Sequence, residues 1–242
     1  HKKMILKKLL KKIFRLLGYR LLKLRSPSRP SPFGTKDLDS LKALNDSKGV
    51  LHLGAHRGTE AEVYNWFGKK VIWFEAVPYI YEQLKENIQV YNNQLCFCAL
   101  LGDEDGTKKS FYISNNDSAS SSLFNFSQNT LSGKYFPGRV LKMKENIYLI
   151  MKKLDTIMAD QNISLSEYDH WIVDLQGAEL LALKGAEKSL QSCKSMSIEV
   201  STVDVYEGGV MWSELCLWLE KKGFYPIAKP KKNHTDVLFI KR

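Results

Sequence analysis

The chain has 242 residues, 44% of them hydrophobic and 26% charged, a globular composition with enough apolar mass for one core, so wholesale disorder is excluded. No apolar run approaches the roughly 20 residues that a spanning helix needs, which excludes an integral helical membrane protein. The net charge of +10 sits in one place: residues 1–29 carry eleven Lys or Arg and no acid, leaving 25 of the 36 bases against all 26 acids, so a basic body that grips nucleic acid is excluded too.

Residues 2–25 place Ile5, Leu6, Leu9, Leu10, Ile13, Leu16 and Leu17 at helical spacing, with Lys3, Lys7, Lys8, Lys11, Lys12 and Arg15 between them. The pattern predicts a basic amphipathic helix. Lysines interrupt its apolar positions and no small-residue cleavage site follows, unlike a secretory leader. Two readings stand. The leucine face lies on an anionic membrane surface, each base adding about 1 kcal/mol near the lipid, or it packs against protein. On the first reading the protein is cytoplasmic and peripheral on the inner face of a membrane. Pro27, Pro30 and Pro32 cannot continue the helix, so residues 1–32 form an appendage and residues 33–242 the domain.

Beyond the linker, short β-like runs alternate with helical patterns, which predicts an α/β body around a mostly parallel sheet. Residues 49–53 form the first strand, followed by a glycine-bearing turn and a helix over 60–67. The second strand, 71–74, ends at Glu75 and precedes a helix over 79–91. A third covers 95–101, and 110–114 form another, leading into a Ser/Asn-rich loop at 115–122. Residues 171–173 are a buried strand ending at Asp174, with a helix over 179–192. A strand at 196–200 and a helix at 213–222 follow, and runs at 224–228 and 237–240 close the chain as an antiparallel edge. Cys96, Cys98, Cys193 and Cys216 have no CxxC spacing and read as reduced, mostly buried thiols, with Cys96 and Cys98 on one side of a strand.

Ligands of such sheets bind beyond the carboxyl ends of the strands. Gly54-Ala55-His56-Arg57-Gly58 ends the first strand, and Glu75 ends the second 21 residues after Gly54. An ionised acid there accepts two hydrogen bonds side by side and suits a ribose. The turn lacks the full GxGxxG fingerprint that presses amides onto a pyrophosphate, so a nucleoside without a diphosphate, such as S-adenosylmethionine, fits better than a dinucleotide.

Val50-Leu51-His52-Leu53-Gly54-Ala55-His56-Arg57-Gly58, Trp73-Phe74-Glu75-Ala76-Val77-Pro78, and above all Val173-Asp174-Leu175-Gln176-Gly177-Ala178-Glu179-Leu180 with Leu183-Lys184-Gly185-Ala186 resemble the FkbM-type S-adenosylmethionine-dependent methyltransferases. Ser120-Ser121-Ser122-Leu123, Gly223-Phe224 and Asp236-Val237-Leu238-Phe239 are similar to that family too. The resemblance spans residues 48–240. It implies the Rossmann-like seven-stranded sheet of class I methyltransferases, S-adenosylmethionine turned over to S-adenosylhomocysteine, and O-methylation of a sugar in a glycan, glycolipid or natural product. One departure stands out: the family commonly has Glu where this chain has Gln176.

Carried over by residue, the resemblance puts Gly54, Ala55 and Gly58 against the methionine moiety and Glu75 on the ribose, with His56 and Ala76 beside them. The turn from Ala99 to Asp103 borders the adenine, and Asp174 lies by the transferred methyl. A sugar hydroxyl is a weak nucleophile and needs a base. Asp174, His56 and Glu199 sit at strand ends. An ordinary Asp, pKa about 3.9, is a weaker base than His near 6.5, but position ranks Asp174 first and His56 second. Each has a plain alternative: Asp174 caps the next helix, His56 bonds backbone in a turn, Glu199 orients loop amides. Glu179 reads as a first-turn acid on the helix dipole. No spacing rule makes a metal site of Asp174, Glu199 and Asp204. Ser121, Ser122, Tyr135, Arg139, Gln176 and Tyr206 are the candidates for the acceptor. The competing reading is a non-catalytic nucleoside- or glycan-binding module, motivated by Gln176.

Overall fold

The computed structural model describes residues 35–242; the basic helix read over 2–25 and the proline linker lie outside the described residues. Residues Asp39–Arg242 make one compact unit. Ten strands are described: β1 Gly49–Leu53, β2 Lys70–Glu75, β3 Gln94–Cys98, β4 Leu100–Leu101, β5 Lys108–Ser114, β6 Met143–Lys152, β7 His170–Val173, β8 Ser195–Ser201, β9 Phe224–Pro226 and β10 His234–Lys241. The helices are α1 Thr35–Asp46, α2 Ala61–Trp66, α3 Pro78–Ile88, α4 Gln128–Leu131, α5 Leu154–Asp160, α6 Glu179–Lys184 and α7 Trp212–Lys221.

Seven strands form the main sheet in the order β3-β2-β1-β7-β8-β10-β9. The first five run parallel, and β10 is antiparallel to both its neighbours, as the sequence led us to expect. All five residues of β1 are buried, and so are all but the first of β2, because helices cover both faces. On one face Leu51, Phe74, Trp171 and Ile198 pack with Leu154 of α5, Leu183 of α6 and Leu219 of α7. On the other, Val50, Val71 and Trp73 pack with Leu44, Tyr64, Leu84 and Ile88 from α1, α2 and α3. α3 suits that role: Pro78 at its first turn presets φ, and Ile80, Leu84 and Ile88, four apart, make one buried stripe.

Four expectations are corrected. The run at 95–101 is two strands: β3 belongs to the main sheet, whereas β4 pairs with β6 in a second sheet of order β4-β6-β5. β6 and α5 fill a stretch in which no element was expected; β6 carries the polar Lys144, Glu145 and Asn146 near its start and is mostly exposed, although residues 147–151 form an apolar run. The helix expected over 179–192 stops at Lys184. A Cβ at Gly185 would lie 1.9 Å from the Gly102 carbonyl oxygen, and that close approach ends α6 against the β4 turn. Of the four free cysteines only Cys193 is buried, while Cys98 is exposed.

The register of the parallel strands then sets up the carboxyl ends. Leu53 pairs with Phe74 and Val173, Val173 with Ile198, and Glu199 with Asp236. The row across the strand ends therefore reads Glu75, Gly54, Asp174, Glu199, Asp236. Gly54 must be glycine: its φ is +87°, and a Cβ would sit 1.8 Å from the Asp174 carbonyl oxygen. Gly106, also at positive φ (+80°), has nothing within 4 Å of such a Cβ. Gly54→Ala is expected to cost more than about 3 kcal/mol in urea unfolding, against the roughly 1–2 kcal/mol of an unhindered left-handed residue for Gly106→Ala.

Candidate active site

A cleft of about 280 Å³ opens at these strand ends. One half is built by the turn after β1 and the end of β2. Gly54 and Ala55 both donate their N–H to the Phe74 carbonyl, at 3.0 and 2.8 Å, which folds the turn back over β2. The turn then aims the His56 amide at Glu75 Oε2 (2.8 Å), while the Val77 amide donates to Oε1 (2.8 Å). Each carboxylate oxygen keeps a lone pair for a hydroxyl in the cleft. Glu75 is 8% exposed; burial raises its pKa to about 7, against the two amide bonds that favour the ion.

The Ser/Asn-rich loop roofs this half. Arg57 forms a two-pronged ion pair with Asp117, and the Tyr79 hydroxyl meets Ser118 Oγ at 2.7 Å. His56 Nε2 lies 2.9 Å from the Asp117 carbonyl oxygen, which can only accept, so Nε2 carries the proton. The His56 ring is thus part of the clasp between turn and roof. Ser118, Ala119 and Ser121 face the cleft from above, as Ala76 and Ala99 do from the side.

The other half is acidic. Asp174 lines the cleft, and Gln176, in a left-handed conformation (φ 53°), turns its side chain back over the strand ends. Its Nε2 donates to Asp174 Oδ1 and to Glu199 Oε2, both at 2.5 Å, and its Oε1 accepts from the Tyr206 hydroxyl. Glutamate at this place could donate neither bond and would add a charge beside two carboxyls. Glu179, 2% exposed, accepts the Leu175 and Gly177 amides at 3.0 Å each, and so holds the turn that carries Gln176; burial lifts it to about 7. Glu199 reaches His234 Nε2 at 2.9 Å, and His234 Nδ1 reaches Ser201 Oγ at 2.8 Å. Burial raises Glu199 to about 8 and, with the Glu199 charge, holds Asp174 well above the ordinary range.

The structure therefore brings Gly54, Ala55, His56, Glu75, Ala76, Ala99, Asp174, Ser121 and Gln176 to one cleft. Other expected residues fall elsewhere. Gly58 backs onto α3, where a Cβ would meet Leu84 Cδ1 at 2.6 Å. Asp103 does not line the cleft. Ser122 is fully buried and donates to the Gln176 carbonyl at 2.7 Å, so it supports the wall from behind. Tyr206, 4% exposed, acts on the cleft through Gln176. Tyr135 spends its hydroxyl on Asp204, and Arg139 is exposed outside the cleft. Asp204, held by Tyr135 and Asn129, does not join Asp174 and Glu199, and among the described residues no three His, Cys, Asp or Glu stand close enough to share a metal ion. His234 was missed. In the sequence it follows a polar turn, and only the pairing of β10 with β8, His234 opposite Ser201, puts it beside Glu199.

Comparison with known proteins adds one assignment. The family described as methyltransferase FkbM domain matches residues 52–226. Among solved structures, a TehB-like S-adenosylmethionine-dependent methyltransferase from Corynebacterium glutamicum is 9% identical, covering 96% of this chain and 94% of that one, with a TM-score of 0.44. An S-adenosylmethionine-dependent methyltransferase from Aquifex aeolicus is 12% identical (90% and 94% covered, TM-score 0.46). Magnesium protoporphyrin IX methyltransferase from Synechocystis PCC 6803, with bound S-adenosylmethionine, is 10% identical (98% and 97%, TM-score 0.45). No curated protein matches.

The raised carboxyls fix how stability depends on pH. Each favours the folded state while protonated, and that contribution declines as pH rises from the unfolded value near 4 through the folded value of about 7 for Glu75 and Glu179 and about 8 for Glu199. The buried His52 and His170, lowered to about 4 by burial, act in the opposite sense, but only below about 6.5. Between pH 6.5 and 8.5 the Tm of the ligand-free protein is expected to fall by about 3–6 °C, and Glu199→Gln to flatten the fall, in scanning calorimetry.

Proposed function

The chain belongs to the FkbM methyltransferase family, and we propose that it O-methylates a sugar hydroxyl of a glycan or glycolipid precursor. It is an S-adenosylmethionine-dependent methyltransferase, and the donor supplies a methyl group already activated on a positive sulfur. The residues present fit that donor. Glu75 offers two acceptor oxygens to the ribose, and Gly54 and Ala55 line the cleft beside it.

Asp174 carries the reading. It lines the same cleft as Glu75, two strands along the sheet, and its carboxyl is held above the range of an ordinary acid, which makes it a better proton acceptor for a hydroxyl. His56, second in rank, has its ring in the roof clasp. Glu199 stands behind Gln176 and acts through Asp174. The sugar as acceptor is supported by the resemblance of residues 48–240, and a small natural product is the outcome to set against it. A non-catalytic module loses its motive, because Gln176 has a role of its own as the bridge between two acids.

The basic segment over 2–25 adds a place to the proposal: a helix of that pattern holds the enzyme on an anionic surface where a lipid-linked acceptor is met. Full-length protein is expected to sediment with phosphatidylglycerol-containing vesicles, and protein lacking residues 1–29 to stay in the supernatant; equal sedimentation of the two removes the membrane role.

Two substitutions separate donor binding from transfer. Glu75→Ala is expected to weaken S-adenosylhomocysteine in calorimetric titration by roughly 2 kcal/mol, about thirtyfold, through loss of charge-assisted bonds. Asp174→Asn is expected to leave that affinity within about threefold while abolishing incorporation of labelled methyl into a panel of glycolipids and nucleotide sugars. Retained transfer by Asp174→Asn sinks the assignment of Asp174.

A further inference from the structure

We propose that Asp174 and Glu199 act as one counter-charge for the positive sulfur of the donor, releasing a proton when that cation enters the cleft and taking up the acceptor's proton as the cation is consumed. This rests on the reading of the cleft as an S-adenosylmethionine site. It goes beyond that reading in making Glu199, which does not line the cleft, a positioning residue for the proton.

The geometry comes from the register. Asp174, just past the end of β7, and Glu199, within β8, each follow the paired residues Val173 and Ile198, so their side chains project from the same face, one strand spacing apart. Gln176 Nε2 bonds both. Around them every facing element brings further acid or a neutral group: Glu75 from β2, Glu179 from α6, Asp236 from β10, Tyr206 from the loop after β8. Among the described residues His234, from β10, is the only titratable base paired with Glu199, and burial holds it toward the neutral form. Among the described residues no lysine or arginine forms an ion pair with Asp174 or Glu199. Two carboxyls in contact without a cation cannot both stay ionised, so the pair retains a proton near neutral pH.

A cation in the cleft reverses that balance. With a fixed positive charge beside Asp174 both carboxyls ionise, and Asp174 becomes the free base that a hydroxyl requires. In the transfer the acceptor oxygen forms the new bond to the methyl carbon, the carbon–sulfur bond breaks with its electron pair going to sulfur, and the hydroxyl proton goes to the Asp174–Glu199 pair. The pair regains its proton at the moment the positive charge disappears. Gln176 keeps the two oxygens together through both states, since its amide donates whether one or both are ionised.

Proton counting tests this without knowledge of the acceptor. The full chain is titrated at pH 7.5 with S-adenosylmethionine and, separately, with S-adenosylhomocysteine, each in phosphate and in Tris, whose heats of ionisation differ. Wild type is expected to release roughly half a proton more on binding the cationic donor than on binding the neutral product, and the affinity ratio of donor to product to fall severalfold from pH 8 to pH 6.5. Glu199→Gln, close in shape, and Asp174→Asn are each expected to abolish the difference. Equal proton release for the two ligands in wild type overturns the counter-charge role while leaving the methyltransferase reading intact. Failure of both ligands to bind a folded chain overturns that reading itself.

Discussion

Carboxyls in a single row across the ends of four parallel and antiparallel strands are the constraint on which this site depends. Glu75, Asp174, Glu199 and Asp236 stand in register, with Gly54 the gap between the first two. Strands in a sheet lie less than 5 Å apart, and at that spacing in a half-buried place like charges repel strongly. Each acid is therefore met by a different device. Glu75 takes two backbone amides, Asp174 and Glu199 share the Gln176 amide, Glu199 has His234 as well, and Asp236 lies toward solvent. The same logic places Glu179 just behind the row, where it is tied to two amides of the turn that presents Gln176.

These devices give the neutral side chain of Gln176 its place. A carboxylate at 176 would add a third charge to a contact that already holds two, and could enter only with a proton of its own. The amide supplies two donors and one acceptor, all used: Asp174, Glu199 and the Tyr206 hydroxyl. What reads in the sequence as a lost charge is in the structure a hydrogen-bonded crosspiece.

The half of the cleft around Glu75 was legible because its signals are local. A glycine turn after a buried run and an acid at the end of the next strand follow from spacing alone, and the central strands were placed within a residue or two. The acidic half was not, because it is made by pairings between distant segments. His234 meets Glu199 only through the antiparallel return of β10, and Ser122 and Tyr206 support Gln176 from segments 54 and 30 residues away. Tyr135 and Arg139 were chosen for chemical type in an irregular stretch, where type carries no information on direction. β6 escaped notice because a strand with one wet face and a charged beginning resembles a loop.

The stretch that follows β5 is fastened at two ends. Its first part, residues 115–122, is tied to the turn after β1 and to Tyr79. Its second, residues 124–141, is tied to the loop after β8: Phe126 bridges to Tyr206 and stacks on it at 5.3 Å, and both the Ser127 amide and the Thr130 hydroxyl donate to the Val205 carbonyl. The two fastenings meet at one side chain, since the Tyr206 hydroxyl also lies 3.4 Å from the Ser120 carbonyl oxygen. Roof, loop and Gln176 thus share an anchor, and a change at Tyr206 is felt in both halves of the cleft at once.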